Sequence, residues 1–131
     1  MVQMMMIENP HLLPKVRSKK LLAAIKDMPC TLRIASFVPF WSCAHQTTVV
    51  PCHLDRTIGK GMGTKVSDLC VAAGCAHCHN IIDGRDRTAA DYIAENYPAA
   101  MMQRMLAGLA ETQSRWVQMG LLTGDDWEIV Q

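Results

Sequence analysis

Cys75-Ala76-His77-Cys78-His79, with Asp83 four residues beyond His79, gathers two thiols, two imidazoles and a carboxylate into one short stretch. The pair Cys75 and Cys78 suits a tetrahedral structural zinc, whereas His79 and Asp83, spaced i and i+4, share one face of a helix and offer nitrogen and oxygen donors. Two metal functions are therefore written side by side, and the rest of the chain must complete each.

A Cys-x-x-Cys pair is half of a four-ligand site. Cys30 and Cys43 are the best complement, because they flank a short apolar segment, Thr31 to Trp41, able to fold back and return the second thiol to the first. Cys52 sits beside His53 in a run rich in β-branched residues, and Cys70 lies in the apolar stretch Leu69-Cys70-Val71-Ala72-Ala73, where a free thiol behaves as a small core hydrophobe. His45 is an alternative to Cys43 as fourth ligand, and His77, between the two thiols, is expected to point outward. A disulfide framework is disfavoured because the start of the chain lacks a basic segment, an apolar segment and a cleavage site in series. A redox Cys-x-x-Cys requires flanking strands of a βαβ unit, and none is legible.

The bulk charge of +1 hides an asymmetry. Residues 1–65 carry nine Lys/Arg against three Asp/Glu, a net of +6, while residues 66–131 carry four against nine, a net of −5. The cluster Lys15-Val16-Arg17-Ser18-Lys19-Lys20, continued by Lys60 and Lys65, suits a nucleic-acid backbone or simply a solvated face. No apolar run reaches the roughly 18 residues of a membrane span.

With 131 residues one domain is expected, its modest core reinforced by metal. Residues 1–27 read as a proline-broken basic arm, with a short helix near Ser18 to Lys26 whose Leu21, Leu22 and Ile25 share a face, and residues 28–131 as the compact part. Two strands are expected around Leu32 to Phe40 and Thr47 to Leu54. Gly59-Lys60-Gly61-Met62-Gly63-Thr64-Lys65 is a loop without Walker spacing, better suited to lie near a phosphodiester than to cradle a nucleotide. From Asp68 the chain reads as turn or helix into the Cys-x-x-Cys knuckle, then a helix from about Cys78 to Ile82. Asp86 or Thr88 can cap the next helix and Pro98 open the last, along which Met101, Met105, Leu106, Leu109, Trp116 and Val117 form an apolar stripe.

This order of thiols, strand-borne histidine, glycine loop, Cys-x-x-Cys-His and carboxylate-bearing helix resembles the HNH (His-Me finger) endonucleases and, among them, the YbcO-like nucleases encoded by prophages. The matching residues are Cys30 to Ile34, Cys43, Cys52-His53-Leu54, Gly61 to Lys65, Asp68-Leu69 and Cys75 to Asp83, with a weaker likeness from Ala107 to Leu122. The resemblance implies an α+β fold, a small ββα-metal, treble-clef zinc finger with flanking helices. It implies that His53 is the general base, that Asp68 stands where the HNH pattern has its asparagine, that His79 and Asp83 hold a catalytic divalent ion, and that Cys30, Cys43, Cys75 and Cys78 bind a structural zinc. Cys52 occupies a position that often carries a metal ligand. A thiolate suits zinc better than magnesium, so the catalytic ion is left open among Mg, Mn, Ni and Zn.

The expected activity is hydrolysis of DNA phosphodiesters in the cytoplasm of a bacterial host, with Lys60 and Lys65 meeting the DNA. An imidazole with an ordinary pKa of about 6.5 can take a proton from water near neutrality. The competing expectation is a zinc finger that binds nucleic acid or protein without cutting. Convergence of His53, His79 and Asp83 on one open site separates the two.

Overall fold

The computed structural model describes residues 14–55 and 65–130. Val50–His53 forms β2 and Val71–Gly74 forms β3, paired antiparallel in the register Val50↔Gly74, Pro51↔Ala73, Cys52↔Ala72 and His53↔Val71. Alternation along β2 turns Cys52 fully into the core and His53 to the other face. β3 is buried along its whole length, so its sequence shows no alternation, and this is why a segment expected to be turn or helix is a strand. The strand runs straight into Cys75, supplying the strand-to-helix passage that the sequence did not reveal.

The expected strand over Leu32 to Phe40 does not form. Its middle is a 3-10 turn, Ala35–Phe37, Arg33 and Phe40 have positive φ, and Leu32, Ile34 and Ala35 are all buried, so the chain curls instead of alternating. Helix α2, Ala76–Ile82, begins with Cys75 as its cap, the sulfur accepting from the Cys78 N–H, and it ends at Gly84, whose φ of 84° suits glycine. Asp86 caps α3, Arg87–Asn96, by accepting from the Ala89 N–H.

Helix α4, Ala100–Gln118, packs on β3. Gly108 lets it come close, since a Cβ there would sit 3.0 Å from Thr31 Oγ1. Behind it Thr31 and Thr112, both fully buried, satisfy each other at 3.2 Å and the two polar groups of Ala73, at 2.9 and 3.1 Å. Met105 and Trp116 follow the expected stripe into the core, and Met101 and Leu109 pack at its edge. Leu106 and Val117 are exposed, because Gly108 and Thr112 occupy the inner face instead.

Residues 15–27 do not form a separate arm. β1, Lys15–Arg17, pairs antiparallel with β4, Glu128–Val130. Helix α1, Lys19–Ala24, is capped by Ser18 and continues as a 3-10 turn, Ile25–Asp27. Leu21 and Ile25 are fully buried in the common core, and the Trp116 indole N–H donates to the Leu21 carbonyl at 3.0 Å. The apolar face carried by Leu21 and Ile25 thus outweighs the basic residues around it, and no boundary falls at residue 27. Among the described residues no helix is long and apolar enough to cross a membrane.

Candidate functional site

Helix α2 stands between two chemically different places. On one side the sulfurs of Cys30, Cys43, Cys75 and Cys78 all lie within 4.8 Å of one another, the one such group of three or more potential ligands among the described residues. Cys43 and Cys78 are 3.9 Å apart, and none of the six cysteines is in a disulfide. A tetrahedral ion with metal–sulfur bonds of about 2.3 Å keeps its sulfurs roughly 3.8 Å apart, so the quartet has the dimensions of a zinc site.

The backbone supports the same chemistry. The Ala44 N–H donates to Cys75 Sγ at 3.3 Å and the Ala35 N–H to Cys78 Sγ at 3.4 Å, bonds that favour sulfur as an anion. Cys30 is held down at about 4, chiefly by the hydrogen bond from Cys78. The same contact, together with burial, pushes Cys78 up, while burial pushes Cys43 up to about 12. Four sulfurs brought this close form a donor set that a soft cation would hold as thiolates. His45 takes no part, since its Nδ1 caps the turn Gln46–Thr48 by accepting from the Thr47 N–H. His77 points outward, its ring stacked on Trp41 at 4.4 Å and its Nδ1 3.0 Å from the Ser42 carbonyl.

On the other side of α2 lies a cleft of about 730 Å³ lined by His53, Asp55, Lys65, His79, Asp83 and Arg85, among others. His53 enters it from the end of β2. Its Nε2 lies 3.0 Å from Asp68 Oδ1, and the other carboxylate oxygen accepts from the Ser18 N–H at 2.9 Å. A carboxylate only accepts, so the imidazole proton belongs on Nε2 and the lone pair on Nδ1. Asp68 is almost fully buried, and Arg17 approaches the oxygen it shares with His53 to 3.6 Å.

His79 Nε2 and Asp83 Oδ2 are 3.6 Å apart on successive turns of α2. Asp83 also pairs with the exposed Arg85, 3.2 Å through the side chain and 3.1 Å through the Arg85 N–H. These two donors, an imidazole and a carboxylate at this spacing, could hold a borderline divalent cation, leaving its other positions to water. Cys52 is not among them: it is fully buried, with its sulfur 4.0 Å from the Gly74 carbonyl, and burial pushes its thiol up to about 12.

Lys65 lines the cleft, whereas Lys60 lies outside the described residues. Four residues escaped sequence reasoning. Asp55 follows His53 by two positions, a spacing that could have suggested a shared face, and Arg85 stands two beyond Asp83. Arg17 and Ser18 carry no local signal, because they reach Asp68 across about fifty residues of chain.

A family model described as Putative nuclease YbcO matches residues 19–121. No curated protein and no solved structure matches the chain.

Proposed function

The chain belongs to the Putative nuclease YbcO family, and from that premise we propose that it is a metal-dependent endonuclease of the HNH type, hydrolysing DNA phosphodiesters in the cleft between β2 and α2. The observation that carries the proposal is His53, fixed by Asp68 at 3.0 Å and lining the same cleft as His79 and Asp83. In this proposal the ββα unit is a treble-clef finger, with a structural zinc on the four cysteines that ties the Cys30–Cys43 segment to the start of α2.

The chemistry assigned to the residues is as follows. His53 takes a proton from water at Nδ1, its ring held in the required tautomer by Asp68. His79 and Asp83 would hold the divalent cation, which supplies positive charge against the phosphate and the departing oxygen. Lys65, together with Arg85, faces the phosphate backbone and gives binding that weakens as salt rises. The burial of Cys52 supports a catalytic ion resting on only two protein ligands, and hence a weakly held one.

The test is cleavage of plasmid DNA by purified protein with Mg, Mn, Ni or Zn added, beside His53→Ala and His79→Ala. Cutting by the parent alone is the expected result; equal cutting by all three proteins would assign the activity to a contaminant. The alternative, a zinc module that binds without cutting, draws support from the cysteine quartet being the one group of three or more potential ligands among the described residues, the cleft offering His79 and Asp83 as a pair. It predicts salt-sensitive DNA binding with no cleavage under any of the four metals.

A further inference from the structure

β1 and β4 both fall outside the residues matched by the family model, yet β1 touches the centre of the candidate site. We propose that Arg17, presented by the β1–β4 pair, is a positioning residue that sets the tautomer and orientation of His53 through Asp68.

The contacts converge on one short segment. The Arg17 guanidinium donates to the Val66 carbonyl at 2.8 Å and to the Lys65 carbonyl at 3.3 Å, so it grips the backbone immediately before Asp68. The backbone of β1 and of Ser18 just after it adds three more ties: the Asp68 N–H donates to the Val16 carbonyl at 2.9 Å, the Val16 N–H to Ser67 Oγ at 3.0 Å, and the Ser18 N–H to Asp68 Oδ2. What remains for the other carboxylate oxygen is the His53 imidazole at 3.0 Å and the Arg17 guanidinium at 3.6 Å.

A carboxylate held by one oxygen could still swing its other oxygen away from a ring. Here the second oxygen is confined, because Arg17 flanks it while also fixing the chain on which Asp68 stands. β4 is the one strand that pairs with β1 among the described residues, with Glu128 opposite Arg17. The pairing of chain segments far apart in sequence thereby reaches the base. Asp68 orders His53, and Arg17 orders Asp68.

The inference rests on His53 serving as the base, but its test need not. In full-length protein labelled with 15N, the ring nitrogens of His53 report the tautomer directly, whether or not DNA is cut. The parent should show a proton on Nε2. Arg17→Ala should show a mixture of both tautomers, and Arg17→Gln, which keeps a donor for the Val66 carbonyl while losing the charge, a smaller change in the same direction. Where cleavage is measurable, kcat should fall about tenfold for Arg17→Ala, less than the roughly 10²- to 10⁴-fold that a positioned acid–base group itself contributes, while KM stays within about twofold. A parent-like His53 signal in either folded variant would overturn the proposal, as would a loss confined to KM. If Arg17→Ala does not fold, Arg17→Gln decides alone. An inactive parent whose His53 signal nevertheless responds to Arg17 would count against the nuclease and in favour of the positioning.

Discussion

The two sides of α2 differ in almost every physical respect although Cys78 and His79 are neighbours in sequence. The sulfur side is the drier one: Cys75 and Cys78 are fully buried, backbone N–H groups point at their sulfurs, and of the four only Cys43 is clearly half-buried. The cleft side is open, and the side chains of His79 and Asp83 remain 30 % and 28 % exposed. A helix of seven residues can serve both because each step along it rotates the side chain by about 100°. Where ligands are soft and enclosed, binding an ion is a folding event; the open cleft is the place the proposal reserves for a second ion and a substrate.

The largest effect should come from attacking the dry side. Cys75→Ser, or removal of metal by a chelator, should abolish the cooperative melting transition, because a structural zinc site contributes about 10 kcal/mol or more and a domain of this size has about 5–15 kcal/mol to lose. Circular dichroism with zinc analysis checks this, and a folded metal-free chain would erase the distinction between the two sides.

Attacking the open side should do the opposite. His53→Ala is expected to lower cleavage by about 10²- to 10⁴-fold while zinc content and melting temperature stay near parental values. Loss of zinc or of fold in this variant would mean that the cleft is also structural.

Immediately before Cys75 stands Gly74, the last residue of β3. A Cβ there would be 2.7 Å from both Cys52 Sγ and Leu32 Cδ1, so Gly74→Ala should destabilise by about 1–3 kcal/mol, the usual range for overpacking. Urea denaturation measures it. A neutral result would show that Leu32 and Cys52 yield easily.

The smallest effect belongs to neither side. Burial opposes ionisation of Glu111, but hydrogen bonds and charge from Arg33 and Arg115 prevail and hold its carboxyl below the usual 4.5. A folded-state pKa below the unfolded one stabilises above the unfolded value and is lost as pH falls through the lowered one. Arg33→Ala should therefore cost less than about 1 kcal/mol near neutrality, since these groups are partly exposed, and the difference from the parent should shrink as Glu111 becomes protonated in acid. Unfolding curves taken across that interval test the sign.

The same contrast explains what the sequence disclosed. Thiols are rare, and their spacing drew attention to Cys30, Cys43, Cys75 and Cys78, the four that the fold brings together. β2 was legible in part: of the β-branched run from Thr47 to Val50, Thr47 and Thr48 belong to a 3-10 turn and only Val50 opens the strand. β3 was not, because a strand covered on both faces has no period to read. Thr112 carries no signal as a core residue, and only the buried Thr31 opposite explains its place on the inner face. Asp68 stood out as a departure from an asparagine, judged by the donors it lacks. Its surroundings ask for an acceptor, since the Ser18 N–H and His53 both turn toward it. Contacts across some fifty residues leave no trace in local pattern, and the basic cluster that looked like a solvated arm conceals Leu21 and Ile25 in the core.

The pairing of Lys15 with Val130 carries a consequence in time. During synthesis β1 leaves the ribosome early, but its partner strand emerges more than a hundred residues later, and contacts so distant in sequence are slow to close. The cysteine quartet and the β2–β3–α2 unit are complete well before that. A nascent chain can thus assemble its sulfur knuckle while the segment bearing Arg17 is still unpaired. On the proposal that Arg17 orders Asp68 and Asp68 orders His53, the imidazole is set only once β4 has docked on β1.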